Sequence, residues 1–437
     1  MEEQTVINRI NGSSMATTGK NLNGKLVYYL KNGQALYWCS FFILILIEFL
    51  LGGQLSKILT KDNYSLYVNV LNTLPFYNVV VNFGLSYGIV YIVAYNPDIK
   101  FRLFRQTLKL QTAWYIILVA VHLAIFFIFN NAYVESLLIT VVISYTYSYR
   151  LNINALFLAT RFYNKAAIAN ALQKVSLITV FIVIYYISYL KQLLNDRFLI
   201  VYPFIELGVV LLYLIIFWQT NRLSLRSQKI NYQKRILKYS KFAMFNNGLN
   251  LLSYIIIAFI IRSSHIDINI QIIFMLCIVF FRYTGVAIAP VFSIMNPLFT
   301  SIKNDTAGIK KLYIKYCIII SVMSLLALIT CRLFFSFIID HFYAISYRDL
   351  PGYFYFFCYM IPLLFINSLN SSVLAALGKI KYTFKTEVVC TIVLLAFFFY
   401  NLLSPITIYN VFYYIVLAHL CVKFLMLCYG TYTEIKK

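Results

Sequence analysis

Along this chain the dominant pattern is a series of long apolar runs separated by short basic turns, each run near the ~20 residues that one helix needs to cross a hydrocarbon layer. Read with that ruler, the sequence predicts about twelve membrane helices. The first six begin near Ala35, Asn72, Leu108, Glu135, Ala166 and Phe198, and the second six near Ser240, Ile268, Tyr313, Gly352, Phe384 and Ile406. Helices are the consistent reading, because backbone amides in lipid must be satisfied within their own segment and the runs are too long for barrel strands. The longest polar connector runs from Arg222 to Lys241, which leaves no room for an extramembrane domain.

Composition agrees. Hydrophobic residues make up 62% and charged residues 12% of the chain, with mean hydropathy +0.78, whereas soluble domains run near half apolar and a quarter charged. The net charge of +23 reads as a topology signal, not as nucleic-acid binding. Twenty-seven Lys and Arg residues fall on one set of alternating loops, including the hub Arg222, Arg226, Lys229, Lys234, Arg235, Lys238 and Lys241. Only six fall on the other: Lys57, Lys61, Lys191, Arg197, Arg262 and Arg348. Such a bias predicts that both termini of a multi-pass membrane protein lie in the cytoplasm. Met1 to Gly33 has no apolar core or cleavage site of a removable signal.

The organisation expected is a cytoplasmic segment 1–34, a six-helix bundle 35–220, a basic cytoplasmic linker 221–239 and a second six-helix bundle 240–437. "LFLATRFYNKA" after the fourth helix and "SVLAALGKIKYTF" after the tenth have similar form. Each is an apolar helix end running into a basic turn, about half the chain apart. Parallel halves of this kind bind cargo at the interface between them.

The segment "LTKDNYSLYVNVLNTLPFYNVVVNFGLSYGIVYIVAYNPD", with Asp62, Ser65, Tyr67 and the Phe83-Gly84-Leu85 step, resembles the first two helices of Wzx-type polysaccharide exporters. These belong to the superfamily of multidrug, oligosaccharidyl-lipid and polysaccharide exporters. The later "LxxxGK" step is similar to Leu374 through Gly378 and Lys379. The resemblance implies an all-α polytopic protein whose two six-helix bundles form a V. By alternating access it would move a polyprenyl-diphosphate-linked oligosaccharide, such as an O-antigen or capsule repeat unit, from the cytoplasmic to the outer leaflet of a bacterial cytoplasmic (inner) membrane. The implied partners are that lipid-linked cargo, the bilayer, a proton or sodium ion, and a polysaccharide polymerase.

An ion-coupled exporter of small molecules has the same architecture and is the alternative, although it would favour a carboxylate-lined cavity. An envelope enzyme is the third reading, and only the short segment around Asp340, His341, Arg348 and Asp349 could serve it. No catalytic residue, cofactor or metal site is indicated, because the eight cysteines and four histidines are scattered without ligand spacing.

Charges at bilayer depth cost about 2.5–3.5 kcal/mol on insertion scales and therefore mark candidate pathways. Arg150 in the fourth helix shares a side with Thr146, Tyr147 and Asn154, and Arg282 in the eighth shares one with Gly285 and Ala289. A guanidinium fork suits phosphate oxygens, so Arg282 and Arg150, with Tyr147 and Asn154, are the substrate-binding candidates. Each Arg could instead pair with Glu48 or Glu206. Glu48 is the candidate for coupling to a proton or sodium ion. Glu206 and Glu387, nearer helix ends, are expected to reach the interface. Tyr145, Tyr149 and Asn152 form an aromatic and amide face that reads more readily as packing than as a sugar contact. Pro75, Pro290 and Pro297 can bend their helices.

Overall fold

The computed structural model describes residues 34–86, 89, 92–93, 100–129, 132–159, 163–198, 201–208, 233–288, 291, 295, 299 and 305–436. Long apolar runs give long helices: α1 (Gln34–Ile58), α2 (Lys61–Asn82), α3 (Lys100–Phe129), α4 (Ala132–Ala159), α5 (Tyr163–Tyr186) and the short α6 (Ser188–Asp196) come first. A helical stretch at 201–208 follows. The second set is α7 (Gln233–Arg262), α8 (Ile268–Ala287), α9 (Thr306–Phe342), α10 (Leu350–Cys358), α11 (Ile361–Ala376), α12 (Ile380–Leu403) and α13 (Asn410–Lys436). Among the described residues there is no strand.

Two helical bundles result. In the first, α2 packs on α4, α1 on α5 and α3 on α4; in the second, α7 packs on α12 and α11 on both α9 and α13. The bundles meet where α2 lies against α7 and α8, and where α1 lies against α8 and α9. Phe49 of α1 stacks on Phe280 of α8 at 4.3 Å between ring centroids, and Phe280 also meets Phe335, Tyr343 and Phe354. This aromatic knot ties the bundles together.

Several boundaries differ from the hydropathy reading, because the helices extend past the hydrocarbon with polar ends. α2 begins at Lys61 instead of near Asn72, and α3 at Lys100 instead of near Leu108. Residues 233–239, expected in the linker, form the first turns of α7. The eighth helix stops at Ala287, before Pro290. Pro290, Pro297, Ala289 and the hub residues Arg222, Arg226 and Lys229 lie outside the described residues, whereas Lys234, Arg235, Lys238 and Lys241 fall in α7. The tenth span is two helices bent by 49°, and α5 turns by 109° into α6.

By length and apolarity, six described helices could cross a membrane alone, or eight if each bent pair is one span. α2 shows how polar residues dilute the apolar signal of a span. It buries Ser65, Asn69, Asn72, Thr73 and Asn82 against protein, not lipid. Of these, Thr73 bonds Thr140 at 2.9 Å, and Asn82 bonds Asn152, whose amide donates to Gln111 at 2.6 Å. Polar residues that bond across helices hold a bundle together where no water competes. Asn152 is therefore committed to packing, and Tyr145 is likewise bonded to Thr112.

Both resembling motifs prove to be helix breaks. Phe83 and Gly84 adopt left-handed φ values of 52° and 66° at the end of α2. At the other motif Gly378 (φ 79°) follows α11, its N–H bonds the Ala375 carbonyl, and the Lys379 N–H bonds the Leu374 carbonyl. That pairing is a Schellman cap, which needs glycine at the left-handed position. Asp267 and Asp305 cap α8 and α9 by accepting from the Asn269 and Gly308 N–H groups. At exposed Asp267 the backbone hydrogen bond from Asn269 holds the carboxyl below its ordinary range.

Candidate functional site

The site begins at a defect in α2. Pro75 lacks an N–H and so leaves the Leu71 carbonyl without its helical donor. Arg282 of α8 supplies the replacement. Its Nη2 donates to the Leu71 carbonyl at 2.7 Å and its Nη1 to the Asn72 carbonyl at 3.1 Å. Asn72 in turn donates to the Met275 carbonyl of α8 at 3.2 Å. The guanidinium thus clamps the second bundle onto the first.

Arg282 also lines a cavity of about 610 Å³ in the second bundle. α2 contributes Pro75; α7 contributes Asn246, Asn247, Asn250 and Tyr254; α8 adds Tyr283 and Gly285. α11 supplies Asn367, Ser368, Ser371 and Ser372, α12 Glu387, and α13 His419 and Lys423. Gly285, one turn from Arg282, faces Leu364 across the cavity wall, where a Cβ would lie 3.4 Å from the leucine.

Charge inside this cavity is arranged, not scattered. Lys423 Nζ lies 2.6 Å from Glu387 Oε1 and donates to Asn250 Oδ1 at 2.7 Å. An ammonium has three protons, so one donor is left over. His419 sits one helical turn before Lys423, and its Nδ1, Glu387 Oε2 and Asn367 Oδ1 lack a hydrogen-bond partner among the described residues. Buried polar atoms are almost always satisfied. Glu387 Oε2 and Asn367 Oδ1 are acceptors beside one cavity and call for hydrogen-bond donors such as hydroxyl groups. Glu387 and Glu206 are 3% and 1% exposed, which corrects the expectation that they reach the interface: each is taken up by partners inside its bundle.

The other predicted residues assemble in the first bundle. Tyr147 is buried and donates to Glu206 Oε1 at 3.2 Å, as does Tyr202. The Arg150 guanidinium lies 5.0 Å from the centre of the Tyr147 ring, and its Nε and Nη1 have no hydrogen-bond partner among the described residues. Asn154 is buried one turn further along α4. Glu48, half-buried on α1, lies within electrostatic reach of Tyr67, Tyr147, Tyr202 and Arg282. The structure therefore brings Glu48, Tyr147 and Arg150 together around Glu206. It places Arg282 between this cluster and the cavity of the second bundle.

Two intramembrane cations were missed, Lys423 and Arg332. The signal was available. Of the 37 Lys and Arg residues, all but four belong to the two loop sets. The four left over are Arg150, Arg282, Arg332 and Lys423, each inside a helix. The Asn246-Asn247 pair, Asn250 and the serines of α11 are ordinary polar residues in sequence, and only packing brings them to one wall.

The outer contender for enzymatic chemistry is a short turn. Arg348 and Asp340 approach at 4.0 Å with both side chains largely exposed, an arrangement that contributes little energy. His341 Nδ1 bonds the Phe337 carbonyl of its own helix.

No protein-family model and no curated protein matched the sequence. Solved structures do match. The inward-facing conformation of a multidrug resistance MATE family transporter of the MOP superfamily aligns with TM-score 0.72 at 12% identity, covering 89% of this chain and 94% of the other. Its outward-facing counterpart aligns with TM-score 0.64 over 93% and 96%, again at 12% identity. A MOP superfamily transporter from Pyrococcus furiosus, described by the reverse polarity of its binding pocket, aligns with TM-score 0.63 at 12% identity over 93% and 97%. The chain is thus built on the two-bundle, all-helical fold seen in MATE transporters of the MOP superfamily.

Proposed function

We propose that this membrane protein is an alternating-access flippase for a polyprenyl-diphosphate-linked oligosaccharide, working from the cytoplasmic to the outer leaflet of a bacterial cytoplasmic membrane. The observation that carries the reading is the lining of the second-bundle cavity: amides, hydroxyls and two cations, Arg282 and Lys423, against one carboxylate, Glu387. Amide and hydroxyl groups pair with sugar hydroxyls. Arg and Lys pair with diphosphate oxygens, the former as a fork and the latter as a point charge. Leu251, Val286, Leu364 and Leu420 also line the cavity, but a lipophilic cation would find two cations against one carboxylate there, and so no net negative charge. The fold supports the transport step, because it occurs in inward-facing and outward-facing forms in the transporters it matches.

A small-molecule exporter is the second reading, and the first bundle favours it. Glu48 and Glu206 with Tyr67, Tyr147 and Tyr202 form a carboxylate and aromatic cluster, a setting that suits an organic cation, a proton or sodium. Under the flippase reading this cluster takes the coupling ion while the second bundle holds cargo. A polymerase docked on the basic cytoplasmic loops would receive the flipped product.

The test is transport of a fluorescent polyprenyl-diphosphate oligosaccharide in proteoliposomes, with insertion and folding of each variant confirmed. Flipping by the native chain that is lost in Lys423→Gln supports the reading. A native chain that moves no lipid-linked sugar, yet exports a cationic dye, would replace it with the exporter.

A further inference from the structure

Arg332 sits where a charge has little reason to be. The 37-residue α9 has Lys310, Lys311 and Lys315 near one end and Asp340 and His341 near the other. At about 1.5 Å rise per residue, Arg332 is ~25 Å from Lys315 and ~12 Å from Asp340. That places it inside a ~30 Å hydrocarbon layer, in the half nearer Asp340. It is exposed, and so are Leu325, Ile329, Leu333, Phe334 and Phe337 around it on the same helix. This is a lipid-facing surface.

The guanidinium is nevertheless held in a defined place. It lies 3.9 Å from the centre of the Tyr355 ring of α10. That ring is pinned by its hydroxyl, which bonds Ser336 and donates to the Arg332 carbonyl. Among the described residues no carboxylate or other acceptor meets the guanidinium, and Asp340, two turns on, faces Arg348 instead. An arginine stacked on a fixed aromatic platform, with its donors unmet in lipid, is complementary to one kind of neighbour in that environment. A phosphate drawn down from the interface would satisfy the fork in two hydrogen bonds, while the arginine stem reaches up from below.

We propose that Arg332, Tyr355 and Ser336 form a binding site for the phosphate of an anionic phospholipid at the surface between α9 and the bent α10–α11 span. The proposal does not depend on the cargo. A lipid seated there bridges α9 to the bend between α10 and α11, the one break in that span, and so acts as a removable strut on the second bundle.

The experiment uses the full-length protein in nonionic detergent, probed with phosphatidylglycerol, with diacylglycerol of the same chains, and with inorganic phosphate. Retained lipid is counted by native mass spectrometry, and thermal unfolding is followed in parallel. Phosphatidylglycerol is expected to be retained and to raise the unfolding temperature. Arg332→Gln should bind it about 10-fold more weakly, the loss of one charge-assisted pair, with Arg332→Lys between the two. Diacylglycerol and inorganic phosphate should produce neither effect. Equal retention by Arg332→Gln overturns the site, as does equal retention of diacylglycerol or an equal shift with inorganic phosphate. Should the variants fail to fold, a phosphatidylglycerol with a photoreactive headgroup is used on the native chain. Labelling of the peptides holding Arg332 and Tyr355 supports the site, and labelling confined elsewhere overturns it.

Discussion

Arg282 of α8 occupies, at 2.7 Å, the Leu71 carbonyl that Pro75 leaves open in α2. The two residues belong to different bundles, so the helix defect in one is repaired by a cation from the other. Such a relationship couples them energetically. Arg282→Ala should cost about 1–3 kcal/mol, the penalty for an orphaned buried acceptor. In a Pro75→Ala background the cost should shrink by at least ~0.5 kcal/mol, because that substitution restores a backbone N–H to the Leu71 carbonyl. A double-mutant cycle on unfolding in detergent measures the coupling. Strictly additive losses would show that the contact is incidental.

The buried pair Lys423 and Glu387 separates stability from transport. Removing either charge strands the other, and Lys423→Met or Glu387→Gln alone should destabilise the protein by about 3–5 kcal/mol. The double variant Lys423→Met with Glu387→Leu should regain most of that stability, since an apolar pair of similar volume replaces an ionic one. It should still flip no lipid-linked sugar. Recovery of flipping along with stability would demote the pair to a structural role.

Glu48 lies on α1 between the tyrosines of the first bundle and Arg282 of the second. A carboxylate in that position can report ion occupancy to the clamp that joins the bundles. Glu48→Gln should bind cargo as the native chain does, yet its flipping rate in proteoliposomes should no longer change when a proton or sodium gradient is imposed. An unchanged gradient response would remove Glu48 from the coupling path.

What could be read from the sequence followed the physics of the solvent. The all-helical, multi-span character of the fold comes from the spacing of apolar runs, which lipid imposes strongly. α8 begins at Ile268, as its apolar run predicts. α2 was harder, because its polar first half, 61–71, read as a loop, and the partners of Asn72 and Asn82 on α8 and α4 are seen only in the fold. The same limit governed the site. Arg282 stood out as a lone charge in an apolar run, but its backbone acceptors lie more than 200 residues away. Lys423 was passed over because it sits near the basic C-terminal end of the chain. Its role follows from Glu387 and Asn250, which no local pattern connects to it.

Where the end of α9 meets α1, the bundles are joined by a contact that the proposed alternating-access cycle would have to open. Gly52 and Gly53 of α1 let the end of α9 approach the helix backbone, and Ser56 accepts from the Ala344 N–H at 2.9 Å while Lys57 donates to the His341 carbonyl at 3.0 Å. A Cβ at Gly53 would come within 2.7 Å of the Phe342 carbonyl oxygen and 3.0 Å of its Cβ. Both contacts are with a helix end held by its own hydrogen bonds, so one side has to move. Gly53→Val should therefore wedge α1 from α9 and bias the protein toward opening there. In a background without native cysteines, a Ser56→Cys probe should react with a membrane-impermeant maleimide about 10-fold faster when Gly53→Val is present, the equivalent of ~1.4 kcal/mol of closed-state destabilisation. Cargo transport should slow, because the return to the present closed arrangement becomes the costly step. Unchanged labelling with Gly53→Val in place would show that the α1 and α9 contact is not what keeps the bundles closed there.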